Sequence, residues 1–171
     1  MKKKIVSLGL SLALLRTGVT IVPDADVPAE DENVIIVDNQ DAEKSGNWSS
    51  GSSRDGKYGS DYTVLKKDST GDTWIKWTPD LPQSGDYKVY YIQPEGVTDS
   101  QSIASAAPFT IHHAFGEDVI AVDQRNDGLT CVLLGEYTFT ADYSSIQLTS
   151  NVDDNKHLAD SVLFESVQVM I

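Results

Sequence analysis

The chain has 171 residues, a formal charge of −13 and one cysteine. That length suits one domain with a substantial core. The charge repels phosphates and anionic membranes, so nucleic acid and membrane insertion are set aside, and a lone Cys131 excludes an internal disulfide framework.

Lys2, Lys3 and Lys4 precede an apolar stretch at residues 5–15, too short to span a bilayer and closed by Arg16. This is the pattern of an export signal. Residues 1–29 are therefore expected to be a signal peptide and leader, and the protein to be secreted. Residues 20–32 are rich in proline and acid, and 30–32 end that linker before a domain at 33–171.

Residues 34–38 (VIIVD) read as the first strand. Residues 40–57 are turn-rich, with Gly46, Gly51 and Gly56, yet Trp48 sits among them, as a plug over one end of the fold or as a binding platform. Asn47-Trp48-Ser49 also matches the N-glycosylation triplet, relevant only in a eukaryotic secretory host. Residues 61–66 (DYTVLK) read as a strand. Trp74–Trp77 and residues 87–92 read as two more, parted by Pro79, Pro82 and Gly85, and together they resemble a hairpin unit. In the second, alternation puts Tyr87, Val89 and Tyr91 on one face and Lys88, Tyr90 and Ile92 on the other. Residues 94–107 read as a long exposed connection. Strands are predicted at 109–115, 119–123, 131–134, 137–140, 146–149 and 163–169, with a turn at Asn126-Asp127-Gly128. Short strands at this spacing, with no sustained helical period, predict an all-β antiparallel sandwich of the jelly-roll kind.

The landmarks VIIVDNQD, SGNW, WTPDLPQSGDYKVYYIQP, FTIHHAFGEDVIAVDQ, LLGEYTF and LADSVLF follow one another across roughly residues 33–167. In that order and spacing the chain resembles the golvesin C-terminal-like domain, a module also attached to xanthan lyases. The resemblance implies a β-sandwich of the carbohydrate-binding-module kind, usually non-catalytic, with a poorly defined ligand. Two departures stand out. Cys131 occupies a position where the family often has an aromatic, and Leu163 stands where an arginine is more usual.

The residues offer little for catalysis. No Gly-x-Ser-x-Gly elbow is present, Cys131 lies in an apolar run with no evident activating neighbour, and 26 acidic residues single out no glycosidase pair. His112 and His113 point to opposite faces of one strand. His113 shares its phase with Phe109, Ile111 and Phe115, the expected core face, and His157 lies in a polar turn where it is expected to be solvated.

In a jelly roll the first and last strands commonly lie side by side, which would bring Asp38 and Asp160 to one end of the sheet. With Asp123 as a third candidate, they could supply oxygens to a structural calcium, or simply cap turns. Sugar rings stack on flat aromatic faces, and Trp48, Tyr58, Tyr62, Trp77 and Tyr90 are the candidates, with Gln124 and Asn126 as hydrogen-bonding partners. Trp74 and Trp77 face opposite ways, so one is core. The expected function is a secreted, non-catalytic module binding carbohydrate or a cell-surface polymer. The alternative is a structural or protein-interaction domain that pairs with a partner or a second copy.

Overall fold

The computed structural model describes residues 33–66, 71–95, 103–125, 131–150 and 155–167. Within them lie β1 (Val34–Val37), β2 (Glu43–Ser45), β3 (Trp48–Gly51), β4 (Tyr62–Leu65), β5 (Trp74–Trp77), β6 (Gly85–Ile92), β7 (Ala107–His113), β8 (Gly116–Val122), β9 (Cys131–Phe139), β10 (Ser145–Thr149), β11 (His157–Ala159) and β12 (Ser161–Ser166). The named strands pair antiparallel throughout. The fold is the expected all-β antiparallel sandwich.

One main sheet has the order β1-β12-β6-β9 and the other β2-β5-β10-β7-β8. A small third sheet, β11-β4-β3, was not foreseen. Alternation builds the main core: Tyr87, Val89 and Tyr91 from β6 meet Trp77, Phe109, Ile111, Ile146 and Leu148 from the facing sheet, and Phe139 and Phe164 fill the gap between. Phe109 packs against both Trp77 and Tyr91, with ring centroids 6.3 and 4.7 Å apart. Tyr62, Ile103 and Leu158 form a second, smaller cluster by the third sheet.

Several expectations are corrected. Trp74–Trp77 and the strand at 85–92 are not a hairpin: β5 belongs to one main sheet and β6 to the other. Their link carries Pro79 and a buried Leu81 and crosses between sheets. The runs at 131–134 and 137–140 merge into the single strand β9, whose pairing with β6 slips at Val89/Tyr90 so that the strand bends instead of ending. The turn-rich 40–57 segment holds two short strands, β2 and β3. His157 is fully buried in β11, which pairs with β4, and is not solvated. Phe115 leaves the core phase, because the chain turns at residues 114–115 and the ring is carried outward.

Candidate functional site

The acidic end is built by the outer pair of one sheet. β1 and β12 pair with Val37 opposite Val162, so Asp38 leaves β1 at the same end where Asp160 enters β12. Asp160 is fully buried. Its Oδ2 accepts the Tyr58 backbone N–H at 2.9 Å, and its Oδ1 accepts the Ser161 hydroxyl at 3.3 Å. Burial pushes its carboxyl up to about 7, and the negative charges of Asp38 and Asp61 add to the rise, against the lowering effect of the Tyr58 N–H. Burial raises Asp38 as well, with smaller contributions from Asp61 and Asp41. Asp61 is held low instead, by hydrogen bonds from Ser50, Gln40 and Asn39.

Asn39, only 1% exposed, donates its amide to Asp61 Oδ1 at 3.2 Å and Thr63 Oγ1 at 3.0 Å. Its carbonyl oxygen Oδ1, and Asp38 Oδ1 on the preceding residue, are each buried without a hydrogen-bond partner. Gly59, at φ +67°, lies against the same carboxyl; a Cβ there would stand 3.1 Å from Asp38 Oδ2. Buried acceptor oxygens call for a partner, and a proton, a water's O–H or a cation can each serve. Among the described residues no three histidine, cysteine, aspartate or glutamate side chains converge on one metal position. An ion here would draw on Asp38, Asp160 and the Asn39 carbonyl oxygen. Asp123 is engaged differently: Arg125 forks onto both its oxygens at 2.9 and 2.7 Å and lowers its pKa.

The aromatic candidates are mostly spent on the fold. Trp77 is fully buried and donates its indole N–H to the Asp160 carbonyl at 3.0 Å, so it has no open face to offer a sugar. Tyr62 is buried in the small core, its ring 2.7 Å from where a Cβ on Gly51 would stand. Trp48 is half-buried against the main core and donates to the Ser45 and Trp74 carbonyls, which is the plug arrangement. Tyr58 is half-buried, and its backbone serves Asp160. Tyr90 has the outward phase and bonds Glu165 Oε2 at 3.2 Å. It stands in register with Leu163, itself opposite Ile36, on the face of this sheet turned away from the main core. Gln124 is fully buried, with both ends of its amide bonded to the Leu158 backbone. Asn126 lies outside the described residues.

The exposed rings are elsewhere. Phe115 is 83% exposed and Tyr143 63%. Phe115 caps the β7–β8 hairpin at the opposite end from Asp38. The His113 ring packs 5.2 Å from Tyr137 and 6.4 Å from Phe115. Its Nδ1 accepts the Phe115 backbone N–H at 3.3 Å, and Asp118 Oδ2 lies 3.5 Å from Nε2. On the other face, His112 pairs with Glu117 at 3.2 Å and meets the Tyr143 ring edge-on. The Ala114 N–H bonds the Thr138 carbonyl and anchors the tip to β9. Sequence reasoning missed this group because it extended the core alternation through residue 115. The usable signal was Gly116, which at φ +134° lets the chain turn right after the phenylalanine.

An acidic end and an aromatic hairpin tip thus lie at opposite ends of a small antiparallel all-β sandwich. The chain belongs to the Golvesin C-terminal domain family, whose model matches residues 35–166. It is 29% identical over 140 residues to a xanthan lyase of Bacillus sp. (strain GL1), covering 78% of this chain but only 15% of that one. A solved Paenibacillus xanthan lyase matches with a TM-score of 0.71 and 28% identity over 80% of this chain and 13% of its own. A family 35 carbohydrate-binding module from Clostridium thermocellum shares the fold, with a TM-score of 0.53 and 18% identity over 78% of this chain and 98% of that one.

Proposed function

We propose that this chain is a secreted, non-catalytic module that binds carbohydrate or a cell-surface polymer through the tip of the β7–β8 hairpin. The observation that carries this reading is the Phe115 ring, 83% exposed on a hairpin anchored to β9 and flanked by His113, whose Nε2 lies 3.5 Å from Asp118. An exposed phenylalanine contributes little to folding, whereas a flat ring beside a carboxylate and an imidazole N–H suits a sugar's apolar face and its hydroxyls. Export is supported by the lysine-led apolar segment at the N-terminus. The non-catalytic reading is supported by the match to a small part of the xanthan lyase chain.

The same reading gives the Asp38–Asp160 end to a structural calcium, supported by the two buried acceptor oxygens. The test is a glycan array probed with the full chain, with and without a chelator. A reproducible hit on one polysaccharide class is expected, weakened in Phe115→Ala. Silence from a folded sample sinks the reading.

A further inference from the structure

Trp74 lies outside both cores. It is half-buried and belongs to neither hydrophobic cluster, unlike Trp77 on the same strand. Alternation along β5 turns Trp74 and Lys76 to the outer face of the five-stranded sheet.

That face is laid out in rows. Glu43, Lys76, Gln147, Thr110 and Val119 stand in register across all five strands. The row is about 19 Å long at the usual strand spacing. Beside it, Ser45, Trp74 and Thr149 form a second row. Gln147 Nε2 donates to Thr149 Oγ1 at 3.0 Å, which joins the two rows and spends one of the amide's two N–H groups.

Charge is balanced here, although the chain carries −13. Among the described residues, the strands present two carboxylates on this face, and each has a partner on the same face. Glu43 lies 3.2 Å from Lys76 Nζ, and Glu117 lies 3.2 Å from His112 Nδ1. Lys76 Nζ also stands 5.5 Å from the Trp74 ring centroid and engages one face of the indole. Between the two ion pairs the side chains are hydroxyls and a carboxamide, groups that both donate and accept.

This chemistry selects the occupant. A protein partner calls for a larger apolar centre than one indole. A charged polymer would meet no opposite charge that is not already paired. A polyol suits both parts of the face, its C–H side the indole and its hydroxyls the amide and hydroxyl side chains.

We infer that the outer face of the five-stranded sheet binds a neutral polysaccharide, one sugar stacked on Trp74 and its neighbours over Thr149, Gln147 and Thr110. Successive strands bring a side chain about every 4.8 Å, close to the length of one sugar unit in an extended chain. The inference rests on the proposal that the ligand is carbohydrate, but it does not need the Phe115 tip.

The test is affinity electrophoresis of the full chain in gels cast with neutral β-glucan, galactomannan or arabinoxylan, and in one cast with polygalacturonate. At least one neutral polymer should retard the protein, and polygalacturonate should not. Trp74→Ala should weaken binding roughly 10-fold, and Gln147→Ala about 3- to 10-fold, both with unchanged circular dichroism. Gln147 points away from the core, so its variant decides the matter if Trp74→Ala fails to fold. Retardation by polygalacturonate alone, or by no polymer, overturns the inference. So does full affinity in folded Trp74→Ala or in Gln147→Ala. A loss confined to Phe115→Ala would keep the tip and overturn the sheet face. A loss confined to the Trp74 and Gln147 variants would keep the sheet face and remove the tip.

Discussion

The Trp77 indole N–H reaches the backbone carbonyl of Asp160 at 3.0 Å, bridging the two main sheets at a residue whose own side chain is a buried carboxylic acid. The tryptophan belongs to the core and the aspartate to the end of the fold. The chemistry of that end is therefore coupled to the stability of the whole.

This coupling predicts a pH dependence. Asp160 titrates near 3.8 when unfolded and at about 7 when folded. A raised carboxyl favours the folded state while it stays protonated in that state. Its contribution is complete below about pH 4 and is lost as pH rises through about 7, a swing of roughly 4 kcal/mol at most. With a chelator present, the urea midpoint should be higher at pH 5 than at pH 8. Asp160→Asn keeps an oxygen for the Tyr58 N–H and has no charge to bury, so it should flatten the profile and stabilise the protein at pH 8. A wild type with equal midpoints at both pH values contradicts this assignment.

Calcium should act at the same end. If the Asp38 and Asn39 oxygens and Asp160 hold the ion, calcium at about 100 times its dissociation constant adds roughly 2.7 kcal/mol of stability. The melting temperature of the wild type should rise on adding calcium and fall back with a chelator. Asp38→Asn should reduce the response strongly. An unchanged melting temperature, together with no heat in titration calorimetry, would leave a proton or a water as the partner of those oxygens.

Gln124 looked like a turn residue with a side chain free for a ligand, but it works as a piece of backbone. Its Nε2 donates to the Leu158 carbonyl at 2.7 Å and its Oε1 accepts the Leu158 N–H at 3.0 Å, all of it buried. Its Nε2 also reaches the Tyr91 hydroxyl at 3.2 Å, and its own carbonyl accepts the Gln93 amide at 2.9 Å. Gln124→Leu would take the side-chain partner from the Leu158 N–H, at about 1–3 kcal/mol, whereas the Leu158 carbonyl keeps the Tyr91 hydroxyl at 2.8 Å. We expect a loss of roughly 1–3 kcal/mol in chemical denaturation, with the proposed sugar binding intact in whatever fraction stays folded. A loss below about 1 kcal/mol would mean that water replaces the amide.

What could be read in the sequence follows a physical divide. Period-2 burial is local, so Tyr87, Val89 and Tyr91 were put on one face from their spacing, which is the core face, and the termini of β5 were read without error. The meeting of Asp38 and Asp160 needed only the topology expected of a jelly roll. Apart from Phe115, where Gly116 was a local signal, the failures are non-local. Whether the chain between Trp77 and Gly85 folds back or crosses over depends on what Leu81 packs against, which no local pattern encodes. His157 and Gln124 are polar in sequence and buried in space because the third sheet closes over them. Trp77 and Tyr62 have the aromatic faces a sugar would need, but burial uses those faces up.

The hairpin tip gives the sharpest test of function. Phe115 and Tyr143 are the two highly exposed aromatic rings among the described residues, one beside His113 and the other beside His112, on opposite faces of β7. If the ligand stacks on the Phe115 side, Phe115→Ala should weaken binding by roughly 10- to 100-fold, the equivalent of about 1.4–2.8 kcal/mol. The melting temperature should not fall, because the ring touches little of the core. Tyr143→Ala should weaken binding only if the ligand wraps the tip, so the ratio of the two losses reports the footprint. Asp118→Asn would keep a hydrogen-bond acceptor near the site while removing charge. For a neutral sugar it should change affinity by less than about 3-fold, whereas a cationic ligand would lose its counter-ion. Calorimetry with the polysaccharide identified on the array measures all three variants. Full affinity in Phe115→Ala would remove the tip from the binding surface.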